Sequence, residues 1–173
     1  SGNVGATNVF RVLGKGPGII VLLLDILKGI VAVALLPDIL GFTETLHRVL
    51  FSVIVVCGHN WTVFLKFKGG KGIATSFGAL IGLTISLAAI RPVLVWTFVA
   101  WVTVFLITRI VSVSSIIAAT CLPIIMALTG QEIMIICLGC VLCIFVVLRH
   151  RPNIRRLFAG QEPRLPLSFG KKP

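Results

Sequence analysis

The chain has 173 residues, the length of one ordinary domain, yet 57% of them are hydrophobic and only 12% are charged, with a mean hydropathy of +1.10. A soluble domain carries about 25% charged residues, so much of this surface must face lipid, and a water-soluble globular protein is excluded. Sixteen Lys and Arg stand against five Asp and Glu, a net charge of +11, but the basic residues fall between apolar blocks and form no stripe for a nucleic acid.

The apolar blocks show no alternating polar face, so they suit helices rather than barrel strands. At about 20 residues per crossing, the chain predicts six membrane spans, at residues 17–36, 46–57, 72–90, 92–108, 112–129 and 133–148. The first contains Asp25 and Lys28, the second opens on His47 and Arg48, and the fifth carries Pro123. The expected fold is an all-α integral membrane protein, with one multispan domain at 1–165 and a basic tail at 166–173. The chain begins with Ser and no apolar segment precedes it, as expected of a processed or truncated product.

Charge assigns the sides. With the N-terminal segment in the cytoplasm, the inside pieces are 1–16, 58–71, 109–111 and 149–173, and they hold thirteen of the sixteen basic residues. The outside pieces hold only Arg48 and Arg91, together with Asp38, Glu44 and Glu132. This distribution follows the positive-inside rule. Trp61 fits an interfacial anchor, whereas Trp96 and Trp101 lie deeper. Cys137, Cys140 and Cys143 share a helix face, but no His or acid stands beside them, so they read as small packing residues rather than a metal site.

In so apolar a chain the polar residues are informative, and they gather in three inside segments. The first runs Ser1-Gly2-Asn3-Val4-Gly5-Ala6-Thr7-Asn8 to Arg11. The second runs from Gly58-His59-Asn60-Trp61 to Lys66-Phe67-Lys68-Gly69-Gly70-Lys71-Gly72. The third is Arg149-His150-Arg151-Pro152-Asn153, followed by Gly160-Gln161-Glu162. Glycines at the start of a helix let backbone amides approach an anion, and Arg11 offers a bidentate phosphate contact. The Walker A spacing is absent, so nucleotide hydrolysis has no support. His150 and Asn153, three apart, fall on one side of a helix start, and His150 is suited to carry a proton near neutral pH. Asp25 and Lys28 are expected to pair, because a lone charge inside a span costs at least ~2.5 kcal/mol. Ser112, Ser114 and Ser115 either cap the fifth span or join the inside pocket.

The runs S-G-N-V-G-A-T-N-x-x-R, G-H-N-W-x-V-F-L-K-F-K-G-G-K-G-I-A-T and R-H-x-x-N-I-x-R-L-x-x-G-x-E, in this order and between these spans, resemble the bacterial acyl-phosphate:glycerol-3-phosphate acyltransferases over residues 1–162. The resemblance implies a multi-pass enzyme of the bacterial inner membrane with its active face toward the cytoplasm. It would move a fatty acyl group from acyl-phosphate to the 1-hydroxyl of glycerol-3-phosphate, giving lysophosphatidic acid and phosphate. It implies no cofactor, no metal, no nucleic acid and no obligate protein partner; the partners are the two substrates and membrane lipids. The family's activity-bearing residues match Ser1, Arg11, His150 and Asn153, and its substrate-binding positions match Asn3, Thr7, Asn8, Gly69, Gly70, Lys71 and Gly72. Glu162 matches a residue with a more structural role. Two features depart from the family. Its members carry a further helix and usually a Gly before the first motif, making seven spans, and Thr62 stands where Pro is commoner.

Acyl-phosphate is already activated, so such an enzyme mainly holds two anions side by side and stabilises charge as it moves. Two routes fit: direct transfer with His150 or a substrate phosphate taking the proton, or a Ser1 acyl intermediate. A transporter of an anionic phosphorylated solute is the alternative of a different class. Its site would lie mid-membrane between repeated halves, whereas here the polar motifs cluster on one face and no halves repeat.

Overall fold

The computed structural model describes residues 5–165, and among them every regular element is helical. Ser1, Asn3 and the basic tail lie outside the described residues. Helix α1 (Ala6–Leu13) turns at Gly14 into α2 (Lys15–Ile30), which runs on through a π turn at Val31–Leu35 into the short α3 (Leu36–Ile39). Then come α4 (Thr45–Asn60), α5 (Ile73–Ser86), α6 (Arg91–Thr108), α7 (Val111–Leu128), α8 (Ile133–Arg149) and α9 (Arg151–Phe158).

Four helical stretches are long and apolar enough to cross a membrane: Lys15–Ile39, Thr45–Leu65, Ala88–Thr108 and Val111–Leu128. Ile133–Arg149 with Arg151–Phe158 makes a fifth if the 58° bend between them belongs to one span. Helix length thus gives four or five spans where six were expected. The shortfall lies in the block at 72–90. Its helix α5 has only 14 residues, because the chain leaves helical geometry at Leu87 and makes a 3-10 turn at Ala88–Ile90. Pro92, at the first turn of α6, suits a helix start and not a continuation of α5. Pro123, in contrast, stays inside an unbroken α7, where it faces Gly139 of α8.

The exposed large side chains of α2 and α6, among them Ile20, Leu23, Leu24, Val95 and Trp96, form the lipid-facing surface. Cys137 and Cys140 are exposed too, so the expected packing role does not hold for them. Helices α2 and α5 approach each other closely along a seam with glycines on both sides. A methyl group at Gly78 would collide with the backbone of Ile26, and one at Gly29 with the backbone of Thr75. Small residues of this kind let helices associate in lipid by backbone contact. Gly78→Val should therefore part the two helices and destabilise the fold by about 1–3 kcal/mol or more, read as a lowered unfolding temperature in detergent.

The π turn explains a buried arginine. Arg48, on the first turns of α4, is 7% exposed. Its Nη1 donates to the carbonyls of Val33 (3.0 Å) and Ala34 (3.3 Å) in the π turn, and its Nη2 pairs with Asp38. The guanidinium thus satisfies carbonyls within the widened turn and remains paired itself.

Candidate active site

The described parts of all three polar segments meet at one end of the bundle, around a cavity of about 740 Å³ between α1, α2 and α5 on one side and α6, α7 and α8 on the other. Thr7, Asn8, Arg11, Lys71, Gly72, Ser112, His150, Asn153, Arg156 and Glu162 line its polar end. The lumen beyond them is apolar, with Phe77, Leu80, Phe98, Ala118 and Leu122 in its wall.

A chain of hydrogen bonds organises the polar end. Lys71 Nζ donates to Asn153 Oδ1 at 2.6 Å, and Asn153 Nδ2 donates to Glu162 Oε1 at 2.5 Å. An ammonium has only donors and an ionised carboxylate only acceptors, so these partners fix the orientation of the Asn153 amide. Glu162 also accepts from Ser112 Oγ at 2.7 Å and from Arg156 Nε at 2.7 Å. Its charge is opposed by burial, but the hydrogen bonds from Asn153, Ser112 and Arg156 outweigh that and hold the carboxyl below its ordinary pKa. Burial, above all, acts on Lys71 in the opposite sense. Glu162 raises its pKa, while Arg156, Arg11 and Arg149 lower it, and the ammonium is brought down from 10.5 to about 8. Three arginines gathered around one half-buried lysine make a site short of negative charge, and an anion placed there would be strongly held.

His150 is 2% exposed. Its Nδ1 lies 2.8 Å from the carbonyl of Val146, which can only accept, so Nδ1 carries the proton and Nε2 is left as an acceptor. That is the tautomer of a ring able to orient a hydroxyl or accept its proton, but burial, with the Lys71 charge, brings the pKa of the ring down to about 4, so it is a weaker base than the near-neutral proton carrier expected from the sequence. The bend between α8 and α9 brings His150 and Asn153 to the cavity together, as their spacing predicts.

Gly69 and Gly70 behave differently from expectation, for they do not line the cavity. The Gly70 amide donates to the His59 carbonyl at 3.1 Å, and a side chain at either glycine would run into His59 or Asn60. Their carbonyls are gripped by Arg149, through Nη2 to Gly69 at 2.7 Å and Nε to Gly70 at 2.9 Å. The glycine pair is thus a close-packed support that delivers Lys71 and Gly72 to the cavity. Gly72 has φ +78° and packs against the Asn60 side chain, a place without room for a Cβ.

Sequence reasoning identified Arg149 only as an inside charge and missed its clamp. It foresaw the Asp25–Lys28 pair, observed at 2.5 Å, but not its third member. His59 Nδ1 lies 2.6 Å from Lys28 Nζ and 3.4 Å from Asp25 Oδ1, and the ring lies where a Gly70 side chain would be. The signal was present in the G-H-N-W run, whose His59 packs against Gly70 and lines the cavity with Asp25. Trp61, read as an interfacial anchor, meets Phe145 edge-on and lies under the Arg149 guanidinium at 5.8 Å. Trp101 lines the cavity and donates to Ser115 at 3.2 Å. Among the described residues no cluster of His, Cys, Asp and Glu suits a metal ion.

Comparisons with known proteins identify the family. The family model for glycerol-3-phosphate acyltransferase matches residues 1–160. Similar proteins named glycerol-3-phosphate acyltransferase include those of Parasynechococcus marenigrum, 42% identical over 95% of this chain and 74% of its own length, and of Carboxydothermus hydrogenoformans, 42% identical over 95% and 80%. A crystal structure of PlsY (YgiH), an integral membrane glycerol 3-phosphate acyltransferase in its glycerol 3-phosphate form, superposes with a TM-score of 0.84 at 36% identity, covering 96% of this chain and 80% of PlsY. Its lysophosphatidic acid form gives a TM-score of 0.82 at 35% identity, over 95% and 80%. With the match to the family model and these relatives added to the three converging motifs, the chain belongs to the glycerol-3-phosphate acyltransferase family.

Proposed function

We propose that the protein transfers a fatty acyl group from acyl-phosphate to the 1-hydroxyl of glycerol-3-phosphate in the bacterial inner membrane, from its cytoplasmic face. The observation that carries this reading is the two-part cavity: a cationic, hydrogen-bonding end at Lys71, Arg11 and Arg156 continuous with an apolar lumen. One substrate is wholly polar and anionic, and the other joins an anionic head to a lipid tail, which is the pairing such a cavity suits. The positive-inside excess supports six crossings, with α5 as the short one and the site at the cytoplasmic boundary.

In this mechanism Arg11 and Lys71 hold phosphate groups, with Thr7, Asn8 and the Gly72 turn beside them and Gly69 and Gly70 supporting the loop. Ser1, Asn3 and Asn153 contribute hydrogen bonds, Ser1 and Asn3 from outside the described residues. The glycerol hydroxyl oxygen attacks the acyl carbonyl carbon, the bond from that carbon to the phosphate oxygen breaks, and phosphate leaves. The hydroxyl proton passes to His150 Nε2 or to a substrate phosphate. Positioning and electrostatics carry the catalysis, since the donor is activated before it arrives. Trapping a labelled acyl-enzyme on Ser1 would replace the direct route by a two-step one.

The test is an assay of the intact protein in detergent with acyl-phosphate and glycerol-3-phosphate, following phosphate release and lysophosphatidic acid together. Absence of both from folded protein would overturn the reading, and movement of solute without acyl transfer would favour a transporter. The Arg149 clamp gives a finer expectation. Arg149→Leu frees the Gly69 and Gly70 carbonyls, which should raise KM for glycerol-3-phosphate by roughly tenfold, the worth of one or two hydrogen bonds, with a smaller change in kcat.

A further inference from the structure

The apolar lumen ends abruptly, and the place where it ends is the same on four helices. The lining residues farthest from the polar end are Leu80 on α5, Thr97 on α6, Leu122 on α7 and Leu142 on α8. One turn farther along each helix stand Leu83, Val93, Met126 and Leu138, between 0% and 2% exposed. These four belong to a single packed apolar cluster, so the lumen has a solid floor.

At this depth the rings of Phe77 on α5 and Phe98 on α6 meet with centroids 5.6 Å apart. The α7 wall is graded. From the Glu162-bonded Ser112 it presents Ser115, Ala118 and Ala119, all small, and then Leu122, the first bulky side chain on that path. From Ser112 to Leu122 is about 15 Å at 1.5 Å per helical residue. That is about half of the ~30 Å hydrocarbon core, the reach of a chain filling one leaflet.

We propose that Leu122, with Thr97 on the neighbouring helix, forms the floor of the acyl channel and sets the longest acyl chain that the enzyme uses efficiently. This rests on the reading of acyl-phosphate as donor. A chain shorter than the channel leaves apolar wall uncovered, and a longer one must buckle against Met126 and Val93. Selectivity should follow the number of methylenes seated, at about fourfold in kcat/KM each, the equivalent of ~0.8 kcal/mol per buried methylene.

The test measures kcat/KM for a series of saturated acyl-phosphates of increasing length with wild type, Leu122→Ala, the milder Leu122→Val and Thr97→Phe. Leu122→Ala and, to a lesser extent, Leu122→Val should move the preferred length upward. Thr97→Phe should move it downward, and KM for glycerol-3-phosphate should stay where it is in all three. A length profile unchanged in the active variants would overturn the proposal alone, as would a uniform loss at every length with a raised KM for glycerol-3-phosphate. Failure of the wild type to use any acyl-phosphate would overturn the donor assignment and the ruler together.

Discussion

Lys71→Met is expected to lower kcat/KM for glycerol-3-phosphate by about 10²-fold, mainly through KM. The side chain is an ammonium at the inner end of a cationic cavity, 2.6 Å from Asn153 Oδ1, and Glu162 is the nearest compensating charge. A hydrogen bond to a charged group contributes about 1.5–3 kcal/mol, and Met keeps the length of the side chain while removing the charge. The wild type should also lose affinity as the pH rises through about 8, the pKa to which burial brings Lys71. The sign follows from linkage: phosphate binding favours the protonated amine, so binding takes up a proton above that pH and weakens as the amine is neutralised. Lys71→Arg should bind less well than wild type but show no such loss between pH 7 and roughly pH 10, because a guanidinium stays charged. An unchanged KM in Lys71→Met, or the same pH profile in Lys71→Arg, would remove Lys71 from the phosphate site.

Glu162→Ala should cost both stability and activity. The Glu162 side chain is 4% exposed, and its removal leaves Asn153 Nδ2 and Ser112 Oγ without their acceptor. The bridge to Arg156 adds little by itself, since that guanidinium is 37% exposed. Two buried donors left unpaired cost about 2 kcal/mol or more, which for a protein of this size lowers the unfolding temperature by about 4–8 °C. Freed of Glu162, the Asn153 amide is no longer held toward Lys71, so acyl transfer should fall as well. Glu162→Gln keeps an acceptor oxygen and should lose less. The wild-type contribution of Glu162 is complete above the ordinary carboxylate range. It fades as pH falls through the lowered pKa, because protonation then removes an acceptor that the folded state uses and the unfolded state does not. Thermal unfolding of wild type and Glu162→Gln across acid pH should therefore converge.

Much of this was legible in the chain, for identifiable reasons. Charge poverty and the three separated polar runs pointed to a membrane enzyme with one polar face. Lys71, His150, Asn153, Arg11, Thr7 and Asn8 do converge on one cavity. The Asp25–Lys28 pair followed from the cost of charge in lipid, and it is present. What the sequence hid was direction and partnership. Hydropathy marks where an apolar block lies but not where its helix stops, so the break at Leu87 and the short α5 went unseen. A Gly-Gly-Lys-Gly run suggests amides facing an anion, yet the Gly70 amide is bonded to His59 and the carbonyls of both glycines to Arg149. Nothing in the spacing of residues 69 and 149 announces that contact. Arg48 looked like a flanking charge because the π turn whose carbonyls it caps has no signature of its own.

The clamp on the glycine loop also bears on biosynthesis. Arg149 and Asn153 reach back to residues 79 to 82 positions earlier in the chain. At ribosomal rates of about 5–20 residues per second, the loop carrying Lys71 waits several seconds or more for the helix that will hold it. Until α8 has entered the bilayer and α9 has turned back, the lysine has neither its amide partner nor its fixed loop. Catalytic competence is thus the last property the nascent chain acquires, and a half-inserted molecule is kept from acting on lipid precursors by the order in which its own helices are made.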